Sequence, residues 1–119
     1  MKFIEIAVEG KGEVLVEIDD RNPRTAREIY ERLPLEARVQ TWQEEVYFGL
    51  RLALTDENPS PQAESGDVSY WTPGSAFCIF FGESQPYSAV NHIGKVVRGL
   101  DIFLGVEEGD RIVLRRGEP

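Results

Sequence analysis

The chain is 119 residues long, with 41% hydrophobic and 29% charged residues; the length suits one domain over residues 1–119, and the composition excludes a disordered chain. A formal net charge of −8 and ten scattered arginines argue against nucleic-acid binding, which needs clustered cations along the phosphates. No apolar run nears the ~20 residues needed to span a bilayer, so no membrane partner is expected.

The N-terminus alternates apolar and polar residues through Phe3, Ile4, Ile6 and Val8. That pattern is a strand and not the continuous apolar stretch of a signal peptide. Gly10-Lys11-Gly12 makes a tight turn into a second strand carrying Val14, Val16 and Ile18, which predicts a hairpin. Asn22-Pro23 reads as an N-cap followed by proline at the first helical position. Ala26, Ile29, Tyr30 and Leu33 then recur at helical spacing until Pro34 ends the run.

Segments 35–42 and 46–54 each read as strands, broken by the charged corner Glu44-Glu45. Residues 55–65, rich in Asn, Pro and Ser, predict a polar, flexible loop. The segment 66–82, GDVSYWTPGSAFCIFFG, predicts a strand over 67–71, a bend at Pro73-Gly74, and a strand over 76–81 buried on both faces. A loop over 83–89, a strand over 92–97, a helical turn over 99–104 and a last strand over 111–116 complete the chain. Strands outnumber helices and turn signals recur at short intervals, the pattern of a closed barrel or a sandwich.

Standard catalytic and cofactor-binding patterns are absent: no phosphate loop, no paired-cysteine metal pattern, no nucleophile elbow. Cys78 lies within the apolar run and reads as a small buried hydrophobe. With one cysteine there is no intramolecular disulfide, and a cytoplasmic location is expected. His92, the one histidine, reads as a barrel-rim residue bonded to backbone or water, or alternatively as a pocket donor. Adjacent strand residues face opposite ways, so Glu44 and Glu45 enter one pocket together only if the strand bends; the corner reads as solvated, or as presenting Glu44 alone, on the same side as Trp42, at the barrel mouth. Tyr and Trp combine an apolar body with a polar tip, which makes Trp42, Tyr47 and Trp71, with Phe81, candidate walls of a ligand groove.

Several of these stretches resemble a known family. Val16-Glu17-Ile18 followed by Asn22-Pro23-Arg24-Thr25-Ala26 resembles the opening of cyclophilins, and Gly94-Lys95-Val96-Val97-Arg98-Gly99-Leu100-Asp101 a later cyclophilin strand and turn. Residues 66–82, residues 41–48 and Asn91-His92-Ile93-Gly94 resemble a short prokaryotic cyclophilin-like family that diverges from the true peptidyl-prolyl isomerases. The resemblance spans almost the whole chain and implies a mainly β fold, a closed eight-stranded barrel with one or two helices at its ends.

Cyclophilins catalyse rotation about a peptidyl-proline bond, against an amide barrier of ~18–20 kcal/mol. That reaction uses an apolar slot and a cationic donor, usually arginine, for the twisted amide. The arginine motif is not recognisable here, and residues 42–48 occupy its region. Ungapped alignment on Gly94-Lys95 puts Val90 where the family carries a pocket histidine and Gln85 near its pocket tryptophan, with His92 displaced by two residues. The expectation is a barrel binding a small molecule or an extended, proline-containing peptide through Trp42, Glu44, Tyr47, Trp71, Phe81 and His92, without efficient isomerisation. The alternatives are an isomerase with a rearranged site, its donor Arg38 or Arg51, and an enzyme using Glu44 and His92 as an acid–base pair.

Overall fold

In the computed structural model, which describes residues 1–119, β1 (Phe3–Val8) and β2 (Gly12–Ile18) form the expected hairpin, with Val8 opposite Gly12. Gly10 takes φ +76° in the turn, a conformation that costs glycine little because it has no Cβ. The helix α1 (Pro23–Glu31) follows, then β3 (Leu35–Arg38), β4 (Gln40–Trp42), β5 (Glu45–Gly49), β6 (Asp67–Trp71), β7 (Ala76–Phe80) and β8 (Asn91–Arg98). A 3₁₀ helix, Leu100–Gly105, precedes the last strand β9 (Arg111–Gly117). No helix is long and apolar enough to cross a membrane.

The strands form one antiparallel sheet in the order β3-β9-β1-β2-β8-β6-β7-β5-β4. Its edge strands, β3 and β4, are consecutive in the chain, so the sheet curls into a nearly closed barrel. The count is nine strands against the eight expected, because the extended segment 35–42 changes partners midway. Residues 35–38 pair with β9 and residues 40–42 with β5. At the break, buried Val39 bonds through its N–H to Asp110 O and through its C=O to Gly109 N–H.

Strand parity divides β7 between two apolar environments. Phe77 and Ile79 join the barrel core with Val46, Phe48, Val68 and Tyr70. Ala76, Cys78 and Phe80 point outward and form a second cluster, with Tyr47, Ala63 and Trp71 packed against it. All five β7 residues are buried, as the unbroken apolar run predicted. The outward cluster is the floor of the site described below.

Three local expectations need correction. Asn22 does not cap α1 with its side chain. Fully buried, it donates instead to His92 O (2.8 Å) and accepts from the Asn58 N–H (2.6 Å). The cap comes from across the chain: the Glu57 carboxylate accepts from the Arg24 and Thr25 N–H groups, both at 3.0 Å. Strand pairing in segment 46–54 stops at Gly49, although Leu52 is buried and Leu50 and Leu54 pack on the core. The alternation there records burial without a neighbouring strand edge, and the Leu52 N–H bonds to Tyr70 Oη at 3.2 Å. The polar loop 55–65 is tied down, by Glu57, by mutual Ser60–Val90 backbone bonds, and by Gln62 O bonded to His92.

Candidate functional site

β4 and β5 are joined by a two-residue turn, Gln43-Glu44, with Trp42 directly opposite Glu45. Gln43 takes φ +53° to make so short a connection. Cross-strand partners share a face, so Glu45, and not Glu44, stands beside Trp42. Glu44 itself is used in the turn. Its carboxylate accepts from the Glu83 N–H at 2.8 Å, its own N–H donates to Ser84 Oγ at 2.8 Å, and its carbonyl accepts from the Phe81 N–H at 3.0 Å. The glycine at 82 leaves space for that carboxylate, which a Cβ would meet.

On the outer face of β4, β5, β6 and β7 lies a cleft of about 270 Å³. Trp42, Tyr47 and Trp71 wall it, Cys78 and Phe80 lie in its floor, and Tyr87 comes in from the loop before β8. Trp71 is fixed on three sides. Its indole N–H donates to Ser88 Oγ at 2.7 Å, its ring meets Tyr87 edge-on at 6.1 Å, and Gly74 of the Pro73-Gly74 bend lies beneath it. The same loop is clipped to the 55–65 loop by Gln85, whose side-chain amide bonds to both the N–H and the C=O of Ala63 at 3.0 Å.

Of the six residues expected at one groove, Trp42, Tyr47 and Trp71 meet there. Phe81 is out of parity with Phe80: it turns inward and stacks on Phe103 at 6.2 Å. His92 lines a separate polar cleft of about 400 Å³ with Arg21, Asn58 and Asp67. Glu44 and His92 therefore share no cavity.

Among the lining residues that sequence reading missed in the aromatic cleft, the acidic one is Glu45. It is 8% exposed, and eight of the ten residues lining the cleft are hydrophobic. Burial raises its carboxyl pKa above the ordinary value, and a hydrogen bond with the Cys78 thiol acts in the opposite direction. Burial also drives the Cys78 thiol well up, and Glu45, diagonal to it across β5 and β7, adds to that rise. A thiol so placed stays protonated and is no nucleophile. The only signal for Glu45 was the length of the turn, since one residue more or fewer would have sent it to the other face.

The polar cleft is built differently, with every charge matched. Asp67 is buried; desolvation pushes its carboxyl upward, but the Glu64 N–H, the Arg21 guanidinium and nearby His92 hold it below the ordinary value. Arg21 Nη2 lies 3.0 Å from Asp67 Oδ1, and the Glu64 N–H donates to Oδ2 at 2.8 Å. His92 Nε2 is 2.7 Å from Gln62 O, an acceptor, so that nitrogen carries a proton; Nδ1 is 2.6 Å from Ser69 Oγ. Ser69 is fully buried. Ser69, His92 and Asp67 thus form a structural tie between β6 and β8, with no nucleophile presented to solvent.

Comparison with known proteins follows the fold. The chain resembles the hypothetical protein AF2241 from Archaeoglobus fulgidus, with 35% identity and a TM-score of 0.81 over 98% of this chain and 95% of that one. It also shares its fold with McbB, solved in complex with tryptophan, at 20% identity and a TM-score of 0.78, over 98% of this chain and 45% of McbB. No curated protein matches the chain. The sequence profile of the cyclophilin-like family matches residues 2–115, and with the nearly closed antiparallel barrel this makes the chain a member of the cyclophilin-like family.

Proposed function

We propose that this cyclophilin-like protein is a binding barrel, which takes a small molecule or an extended peptide segment into the Trp42–Trp71 cleft and does not efficiently isomerise prolyl bonds. The observation that carries this reading is the composition of the cleft wall: indole, phenol and phenyl rings, with no arginine or lysine among the lining residues. Amide rotation needs a cationic donor against the twisted peptide. Arg38, one alternative source, donates instead to Gly109 O at 3.1 Å and lines a different depression. Arg51 is exposed and does not line the cleft. Val90, the position aligned with the cyclophilin pocket histidine, lines the cleft as an apolar residue. McbB, of the same fold, was solved with an aromatic amino acid bound, which agrees in kind with an aromatic-walled site.

A thermal-shift screen with metabolites and proline peptides tests the proposal, because a ligand that binds the native state raises the melting temperature by mass action. The expected result is at least one ligand whose stabilisation is lost in both Trp42→Ala and Trp71→Ala while the variants remain folded. Stabilisation that survives both substitutions would refute the site. A protease-coupled assay on a proline tetrapeptide is expected to show no acceleration over buffer; clear acceleration would restore the isomerase reading.

A further inference from the structure

Seven polar or charged residues are buried in this protein: Asn22, Thr25, Glu45, Asp67, Ser69, Asn91 and His92. Six of them make hydrogen bonds within the chain. Glu45 is the exception in having no nitrogen or oxygen donor within the chain. It has no ion pair, and the one hydrogen-bonding side chain beside it is the Cys78 thiol, which also lies 3.7 Å from Ala76 O. A thiol is a weak donor and leaves most of the carboxylate's acceptor capacity open to the cleft. The other titratable groups lining the cleft are the Tyr47 and Tyr87 phenols; no histidine, lysine or arginine does so. A largely buried acidic group with open acceptor sites in a cleft lined by aromatic rings has the complement of a cation: the carboxylate supplies the charge and the rings the quadrupole.

We propose that the cleft selects an organic cation, an ammonium group carried on an apolar or aromatic body, with Glu45 as its counter-ion and Trp42, Trp71 and Tyr87 as its aromatic walls. This inference rests on the binding reading above and narrows its ligand class. Neutral ligands of the same shape fill the same apolar volume but leave Glu45 unpaired.

The chain's two tryptophans, Trp42 and Trp71, both line the cleft, so intrinsic fluorescence reads its occupancy. The probes are phenethylammonium and the neutral 2-phenylethanol, titrated into wild type and Glu45→Gln at red-edge excitation, where a phenyl ring does not absorb. Wild type is expected to bind the ammonium at least about tenfold more tightly than the alcohol, and Glu45→Gln to abolish that difference while keeping the alcohol's affinity. A second arm needs no variant. The cation favours the ionised carboxyl, so its affinity for wild type rises as pH increases through the raised carboxyl value while the alcohol's stays flat. Equal binding of the two probes, or a preference that Glu45→Gln retains, overturns the cation inference and leaves the binding cleft standing. Binding of neither probe overturns the cation inference, and failure of the metabolite and peptide screen as well would remove the cleft.

Discussion

At the scale of single residues, Gly74 and Glu45 set what the cleft can hold. A Cβ on Gly74 would run into the Trp71 ring, so Gly74→Ala must displace that ring from Ser88 and Tyr87. The expected outcome is a shift in tryptophan emission and a severalfold loss of affinity for any cleft ligand, with a stability cost of about 1–2 kcal/mol as for other overpacked sites. Glu45 predicts the opposite sign in stability. Its carboxyl binds a proton more tightly in the folded state than in the unfolded one, so stability falls as pH rises from the ordinary carboxylate value through the raised one. Glu45→Gln is therefore expected to be more stable than wild type at neutral pH, and the gain to vanish toward acid. Urea unfolding at several pH values checks both parts. The aromatic walls were legible in the sequence because Trp42, Tyr47 and Trp71 combine size with a polar tip near strand ends. Tyr87, 83% exposed and lying in an unpatterned loop, carried no such signal.

Elements here depend on contacts between distant parts of the chain. The α1 N-terminus is capped by Glu57, 32 and 33 residues beyond the two amides it accepts from. Desolvation nudges the Glu57 carboxyl upward, but the Thr25 and Arg24 amides and the Thr25 hydroxyl bring it below the ordinary value. A depressed carboxyl pKa contributes stability above its unfolded value and loses it as pH falls through the folded value. Glu57→Ala should therefore cost about 1–2 kcal/mol at neutral pH, in line with other helix-cap deletions, and less at low pH; thermal melts across pH measure this. Sequence reading found the helix and its start, since Ala26, Ile29 and Leu33 repeat at helical spacing, but carried it to Leu33, past its end at Glu31. It assigned the cap to Asn22 because capping preferences are local, whereas Asn22 is drawn into bonds with His92 and Asn58. The β4–β5 turn gives the same lesson. Alternation located both strands, but turn length decided which of two adjacent glutamates faces the cleft.

For the whole molecule, closure of the sheet creates the site. The barrel interior absorbs the inward half of β7, and the outward half must find a second apolar cover. The 83–90 loop supplies part of that cover through Pro86, Tyr87 and Val90, and leaves the cleft between. The fold was legible because the apolar run and the end motifs belong to a family pattern. The placement of His92 and Phe81 was not, because it depends on a register shift between β6 and β8 and on the parity at the end of β7. The central claim is that the aromatic cleft is the binding site, and the two indole N–H resonances test it most directly. In a ¹H–¹⁵N titration with any ligand that stabilises the protein, both the Trp42 and Trp71 indole signals should move along one saturable isotherm. Saturable binding that leaves both indoles unmoved and shifts the Arg21–His92 cleft instead would contradict the account.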